Sequence, residues 1–206
     1  MYKCVLFDFD GTIADSKDVF IEAYNQMADK HNLQRIEFDQ LDELRRLPLA
    51  ERLKILNLPL YKVPVLAPEL YKLYKELSVK INIFDGIKEL LQQLKEKGLK
   101  LAIISSNSEH NIREVLMQHR IDLIDAILCS THIFGKAKMI KKFLKTHRLS
   151  NSEVIYVGDE LRDIHSCKQA QIKVIWVEWG YDIAKVALQG APDYVVSEPQ
   201  QILSIV

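Results

Sequence analysis

Short apolar runs alternate with longer stretches of helical period along most of the chain. Four of the six runs are nearly all apolar, which is typical of strands buried on both faces of a parallel sheet. The runs are CVLF (4–7), LKLAII (99–104), AILC (126–129), VIYV (154–157), KVIWV (173–177) and YVV (194–196). Between them, apolar spacing predicts helices over 86–97, 108–119, 136–147, 160–170 and 182–189. Alternating strands and helices predict an α/β protein with a doubly wound parallel, Rossmann-like sheet.

Residues 16–80, called the insertion below, interrupt this alternation. Apolar residues recur there at helical spacing, and no run resembles a strand. Four prolines suggest turns between short helices: Pro48, Pro59, Pro64 and Pro68. We therefore predict two domains, an α/β core formed by residues 1–15 and 81–206 and an all-helical domain formed by residues 16–80.

Composition and charge narrow the possible partners. Of 206 residues, 28 are Lys or Arg and 28 are Asp or Glu, so the net charge is zero. A neutral chain has no general attraction to nucleic acid or to a membrane surface, and we expect neither as a partner. No apolar run approaches the ~20 residues of a membrane span. We interpret Cys4, Cys129 and Cys167 as buried, reduced thiols of a cytoplasmic protein, and we expect a monomer or a homodimer.

Polar side chains follow four of the predicted strands. The carboxyl ends of parallel strands meet at one edge of a sheet, where α/β proteins bind their ligands. In chain order the residues at these ends are Asp8, Asp10, Ser105, Ser106, Lys136, Asp159, Glu160 and Asp163. We therefore expect carboxylates, hydroxyls and one ammonium group to meet at this edge.

These residue types suit phosphate chemistry with a metal ion. Asp8, Asp159 and Asp163 offer the oxygen ligands that Mg²⁺ prefers, and a carboxylate can also attack phosphorus as a nucleophile. Ser105 and Lys136 are suited to binding phosphate oxygens.

Three of these assignments have simpler alternatives. Ser105 could cap the helix that begins near Ser108, because serine favours that position. Lys138 competes with Lys136 as the lysine of the site. Asp163 could be an ordinary acid in the first turn of a helix, where it favours the helix dipole.

Four motifs in this order resemble those of the haloacid dehalogenase (HAD) superfamily, in its phosphatase branch. DFDGTIADS (8–16) resembles the first motif, Ser105 the second, Lys136 the third, and the GDxxxD pattern at 158–163 the fourth. The stretch GYDIAKVALQGAPDYVVSEPQQIL (180–203) is similar to the tail of phosphoglycolate-phosphatase-like members. The insertion resembles the family's helical (C1-type) cap in place and composition.

The resemblance implies a role for each matching residue. Asp8 is expected to take the phosphoryl group, and Asp10 to protonate the leaving oxygen and then activate water. Mg²⁺ is expected on the Asp8 carboxylate, the Asp10 carbonyl and Asp159. The remaining implied roles are phosphate binding by Ser105, Ser106 and Lys136, and metal contacts through water by Glu160 and Asp163.

The predicted function is therefore Mg²⁺-dependent hydrolysis of a small phosphorylated metabolite, phosphoglycolate-like or a sugar phosphate, through an aspartyl-phosphate. A phosphomutase of the β-phosphoglucomutase type remains an alternative, as does a catalytically idle binding protein on the same scaffold. Arg45, Arg46 and Arg52 are candidates for binding an anionic substrate tail, with surface arginines on a helix as the alternative. Arg46 or Leu47 stands where relatives often carry glycine, so phosphoglycolate specificity does not transfer directly.

Overall fold

The structure, a computed structural model, describes residues 1–37, 40–130 and 135–206, and at residues 42 and 45 only the backbone. Eight strands occur in these residues. They are β1 Cys4–Phe7, β2 Ala14–Asp15, β3 Asn82–Ile83, β4 Lys100–Ser105, β5 Ala126–Cys129, β6 Val154–Gly158, β7 Lys173–Val177 and β8 Tyr194–Val196. The described helices are α1 Lys17–His31, α2 Leu41–Arg45, α3 Leu49–Ile55, α4 Val63–Leu77, α5 Ile87–Glu96, α6 Glu109–Gln118, α7 Lys136–His147, α8 Leu161–Ala170 and α9 Ala184–Ala187.

Six strands form one parallel sheet in the order β5-β4-β1-β6-β7-β8. Each predicted run forms one of these strands with ends within one residue of the prediction. β1 lies inside the sheet, and all four of its residues are fully buried, which explains why its run is uninterrupted. The predicted α/β class with a doubly wound parallel sheet is confirmed.

The two faces of the sheet are covered by different helices. Side chains alternate along a strand, so Val5 and Phe7 join one buried cluster while Cys4 and Leu6 join the other. The first cluster includes apolar residues of α5 and α6, and the second includes those of α7 and α8. This sandwich of helices around the sheet leaves the carboxyl ends of the strands free to carry polar side chains.

The insertion contains α1 to α4, and its described residues include no strand. Apolar side chains from these helices form a third buried cluster. At the borders of the insertion, β2 and β3 form a short antiparallel pair, Ala14 opposite Ile83 and Asp15 opposite Asn82. This pair was not predicted, since a two-residue strand has no measurable periodicity. The division into two domains stays a prediction.

Three local predictions need correction. Pro68 lies inside α4 and does not mark a turn, although its ring costs one helical hydrogen bond. The predicted helix 182–189 is shorter, because α9 gives way to a 3₁₀ turn at Leu188–Gly190. Cys129 is only half-buried, since β5 is an edge strand; Cys4 and Cys167 are buried, and all three thiols are free.

None of the helices among the described residues has both the length and the apolar character that a membrane crossing requires.

Candidate active site

A buried lysine joins two carboxylates at the carboxyl edge of the sheet. Asp8 directly follows β1, Lys136 opens α7, and Asp163 lies in the first turn of α8. The Lys136 Nζ lies 2.5 Å from Asp8 Oδ2 and also donates to the Asp163 carboxylate. All three side chains are at most 3% exposed. Lys138 is exposed, so the structure places Lys136, and not Lys138, in the site.

Burial and charge act against each other in this group. Burial raises the pKa of Asp8 to about 7, although the neighbouring Lys136 ammonium lowers it. Burial by itself lowers the pKa of Lys136, but the carboxylates of Asp163 and Asp8 together raise it above its usual value. Lys136 therefore remains an ammonium group, and its charge favours the ionised form of Asp8.

Asp10 is held by three uncharged donors. Its Oδ1 accepts hydrogen bonds from the Ser16 hydroxyl at 2.7 Å and the Tyr74 hydroxyl at 2.5 Å. Its Oδ2 accepts one from the Asn107 side-chain amide at 2.9 Å. Tyr74 belongs to α4 of the insertion, so the orientation of Asp10 depends on the packing of the insertion. Sequence reasoning missed Tyr74, because nothing near it in the chain indicates contact with Asp10.

Asp159 is fully buried in a close-fitting cradle. Its Oδ1 accepts a hydrogen bond from the Thr12 hydroxyl, and its Oδ2 accepts one from the Tyr181 backbone N–H, both at 2.8 Å. A Cβ at Gly180 would lie 2.1 Å from the Asp159 Cβ, and one at Gly11 would lie 2.3 Å from Oδ2. Only glycine leaves room for the Asp159 side chain in this position.

The three carboxylates that could share a metal ion in the structure differ in one member from the three proposed from the sequence, because Glu160 takes the place of Asp159. Oxygens of Asp8, Glu160 and Asp163 lie within 4.8 Å of one another and could hold a metal ion. The Asp159 carboxylate is turned instead to Thr12 and Tyr181. The predicted metal roles of these residues stay predictions, but Glu160 and Asp163 are better placed for direct contact than the sequence suggested.

The donor chemistry fits a divalent cation. Burial raises the pKa of Asp159 well above its usual value, and it also raises the pKa of Glu160; neighbouring carboxylates act in the same direction on both groups. Among the described residues of this cluster, carboxylates outnumber cations by four to two. The carboxylates are Asp8, Asp159, Glu160 and Asp163, and the cations are Lys136 and Arg162. A cation with two charges and a preference for oxygen would balance this excess.

The loop after β4 turns its polar groups toward the site. Ser105 is buried, and its hydroxyl accepts a hydrogen bond from the Asn107 N–H at 3.1 Å. The cap of α6 is Ser108, whose hydroxyl accepts from the Asn111 N–H, so the capping alternative for Ser105 is wrong. The Ser106 carbonyl accepts from the Tyr71 hydroxyl at 2.5 Å. Phosphate binding by Ser105 and Ser106 stays a prediction.

The arginines proposed for the substrate lie in different places. Arg52 is mostly buried, with a side chain 16% exposed, and pairs with Asp182. Arg46 is exposed, and the side chain of Arg45 lies outside the described residues. Arg162, which sequence reasoning missed, forms an ion pair with Glu160 and lines a cavity next to Asp10. The feature of the sequence that could have indicated Arg162 as a site residue is its position inside the GDxxxD pattern.

A family model described as haloacid dehalogenase-like hydrolase matches residues 5–177. The chain belongs to this family. It is 25% identical to the phosphoglycolate phosphatase of Synechococcus elongatus, over 99% of this chain and 97% of that protein. It is 29% identical to the N-acetylmuramic acid 6-phosphate phosphatase of Pseudomonas aeruginosa, over 98% and 94% of the two chains.

Solved structures agree with the fold of this haloacid dehalogenase-like hydrolase. The haloacid dehalogenase-like family protein SP0104 from Streptococcus pneumoniae superimposes with a TM-score of 0.83 at 21% identity, over 99% of this chain and 98% of that chain. The predicted resemblance to the HAD superfamily and to its phosphoglycolate-phosphatase-like members is confirmed.

Proposed function

We propose that this hydrolase removes phosphate from small phosphorylated metabolites by way of an aspartyl-phosphate on Asp8. The observation that carries the proposal is the buried Asp8 carboxylate beside the Lys136 ammonium, with Asp10 two residues further on. The family model and the phosphatase names of the relatives support the same class of reaction. The relatives act on different phosphates, so the precise substrate does not follow from them.

In the first step, an Asp8 oxygen forms a bond to phosphorus while the ester P–O bond breaks. Asp10 gives its proton to the leaving oxygen, so that an alcohol departs instead of an alkoxide. In the second step, Asp10 takes a proton from water, the water oxygen bonds to phosphorus, and the Asp8–phosphorus bond breaks. Asp8 and Asp10 end in the states in which they began.

The contacts of the two acids suit these separate roles. Asp8 Oδ1 accepts a hydrogen bond from the Phe9 N–H at 2.7 Å, and Oδ2 faces Lys136, so the nucleophile is fixed in direction. Asp10 is oriented by Ser16, Tyr74 and Asn107. Ser105, Ser106 and Lys136 would hold the oxygens of the transferring phosphoryl group, and the Lys136 charge would stabilise it.

We include Mg²⁺ in the proposal because the donor set fits it. Asp8 with Glu160 and Asp163 would hold the ion, with Asp159 and the Asp10 carbonyl as the further ligands that the family resemblance implies. When bound, such an ion neutralises charge that develops on the phosphoryl oxygens.

Free thiols at Cys4, Cys129 and Cys167 support the proposed cytoplasmic location.

A phosphate-release screen tests the proposal. The wild-type protein with Mg²⁺ is offered a panel of metabolite phosphoesters, beside Asp8→Asn and the matched control Asp15→Asn, which changes an exposed acid of the same segment. We expect wild type and Asp15→Asn to release phosphate, and Asp8→Asn to be slower by roughly a thousandfold or more. Equal rates for Asp8→Asn and wild type would exclude Asp8 as the nucleophile.

A further inference from the structure

A cavity of about 480 Å³ begins at Asp10 and extends into the insertion. Its two ends differ in chemistry. The described residues from outside the insertion that line it are polar: Asp10, Ser106, Asn107, Glu160, Arg162 and Tyr181. Among the described lining residues of the insertion, only Lys17 and Arg52 are charged, and the others are apolar or aromatic. Examples from α1, α3 and α4 are Phe20, Tyr24, Leu53, Leu66 and Leu70.

Several polar atoms of this lining are bound to protein groups. The Tyr24 hydroxyl donates to the Gln34 carbonyl at 3.0 Å, the Tyr71 hydroxyl to Ser106, and the Tyr74 hydroxyl to Asp10. The Arg52 guanidinium pairs with Asp182, which is almost completely buried. Aromatic faces and aliphatic side chains therefore form most of the surface that the described part of the insertion offers to a bound molecule.

The volume indicates a binding cavity. Pockets for small molecules commonly measure about 300–1,000 Å³ and are lined mainly by hydrophobic and aromatic side chains. Close-packed interiors contain few voids larger than a water molecule. A two-carbon acid such as glycolate would occupy a small part of this space, and its carboxylate would gain nothing from the apolar side chains of the insertion.

We propose that the alcohol part of the substrate is largely apolar, a chain or ring of several carbons, and that it lies in this cavity while its phosphate meets Asp8. The inference rests on the phosphatase activity proposed above and narrows its substrate class. The polar end of the cavity, at Asp10 and Asn107, then receives the ester oxygen, and the side chains of α1, α3 and α4 contact the carbons.

The test uses primary alkyl phosphates from ethyl to hexyl, with phosphoglycolate beside them. Their leaving alcohols are alike in reactivity, so a difference in kcat/KM reports contact with the chain. Each methylene that becomes buried should raise kcat/KM by about fourfold. Ala67→Phe, which places a ring in the cavity lining of α4, should lower kcat/KM for hexyl phosphate at least tenfold more than it lowers kcat/KM for ethyl phosphate. Ala50→Phe, at an exposed alanine of α3, should match wild type.

The outcomes separate this inference from the proposed function. No phosphate release from any ester would overturn both. Release that does not increase with chain length, or that favours phosphoglycolate over hexyl phosphate, would overturn the inference and leave the phosphatase intact. Thermal unfolding checks that Ala67→Phe is folded; if it is not, the smaller change Ala67→Leu takes its place, and a hexyl phosphate rate equal to that of wild type counts against the proposal.

Discussion

At the scale of single residues, the site depends on the pairing of buried charges. Lys136 lies between Asp8 and Asp163, and all three side chains are almost inaccessible to solvent. A buried carboxylate is costly unless a cation or hydrogen bonds compensate it. The lysine therefore contributes to folding as well as to the proposed binding of phosphate.

Lys136→Met should lower the free energy of unfolding by about 3–5 kcal/mol in the absence of added metal, because it leaves two buried carboxylates without their cation. Urea unfolding followed by circular dichroism measures the change. Lys138→Met is the matched control two residues away on the same helix, and its exposed side chain should give a change within about 0.5 kcal/mol. Similar values for the two variants would show that the buried pairing does not stabilise the fold.

Glycine is required at position 180 because the structure leaves no space there for a side chain. A Cβ there would overlap the Asp159 side chain. Gly180→Ala should therefore displace Asp159 and reduce phosphate release at least tenfold. The displacement should also break the hydrogen bonds from Thr12 and Tyr181.

Gly98→Ala provides the comparison, because Gly98 has a φ of 80° but open space within 4 Å of the position that a Cβ would take. It should cost about 1–2 kcal/mol of stability through backbone strain and leave phosphate release unchanged. Full activity in Gly180→Ala would mean that the position of Asp159 does not matter for the reaction.

At the scale of elements, the ion pair between Arg52 and Asp182 links the insertion to α8. This helix begins directly after Glu160 and carries Asp163. Arg52 of α3 pairs with Asp182, whose other oxygen accepts a hydrogen bond from the Leu161 N–H at 2.8 Å. Leu161 is the first residue of α8. Asp182 thus contacts both α3 and the N-terminus of α8, so the placement of one helix affects the other.

A double-mutant cycle with Arg52→Ala and Asp182→Ala should give a coupling energy of about 1–3 kcal/mol in unfolding experiments, because both side chains are largely buried. The exposed pair Arg113 and Glu109 of α6 serves as the control and should give about 0.3–0.5 kcal/mol. Coupling between Arg52 and Asp182 no larger than in the control would exclude a stabilising link between the insertion and α8.

Strands and helices could be predicted from the sequence where the pattern that indicates them lies in neighbouring residues. The run at 4–7 and the helical period at 136–147 gave β1 and α7 with the observed ends, because burial of one face imposes a repeat on neighbouring residues. Gly98 follows the last turn of α5 in the left-handed conformation expected of a glycine there. Pro68 misled the prediction, because packing of α4 outweighs the loss of one hydrogen bond.

At the scale of the whole molecule, metal binding should be coupled to stability. A ligand that binds only the folded state stabilises it by mass action, by about 2.7 kcal/mol at one hundred times its Kd. For a chain of this length, that corresponds to a rise in Tm of roughly 5–10 °C. Addition of Mg²⁺ to the wild-type protein should produce this rise in differential scanning fluorimetry, and Asp8→Asn should reduce it strongly.

The same measurement distinguishes the two candidate sets of metal ligands. One set is Asp8, Glu160 and Asp163, and the other is Asp8, Asp159 and the Asp10 carbonyl. If the ion is held as the grouping in the structure suggests, Glu160→Gln should reduce the Mg²⁺-dependent shift more than Asp159→Asn. If Asp159 is a direct ligand, as the family resemblance implies, the order should be reversed. The absence of any shift in wild type at millimolar Mg²⁺ would contradict the proposed metal site.

The sequence by itself determined the sheet, the helices that cover it and the residues that follow the strands, because burial patterns and strand ends are properties of neighbouring residues. Only the tertiary structure decided which groups meet. The Tyr74 hydroxyl reaches Asp10 across 64 residues, and Arg52 reaches Asp182 across 130. Such contacts depend on how the insertion packs against the sheet. The same packing forms the apolar cavity beside Asp10, which local patterns along the chain do not reveal.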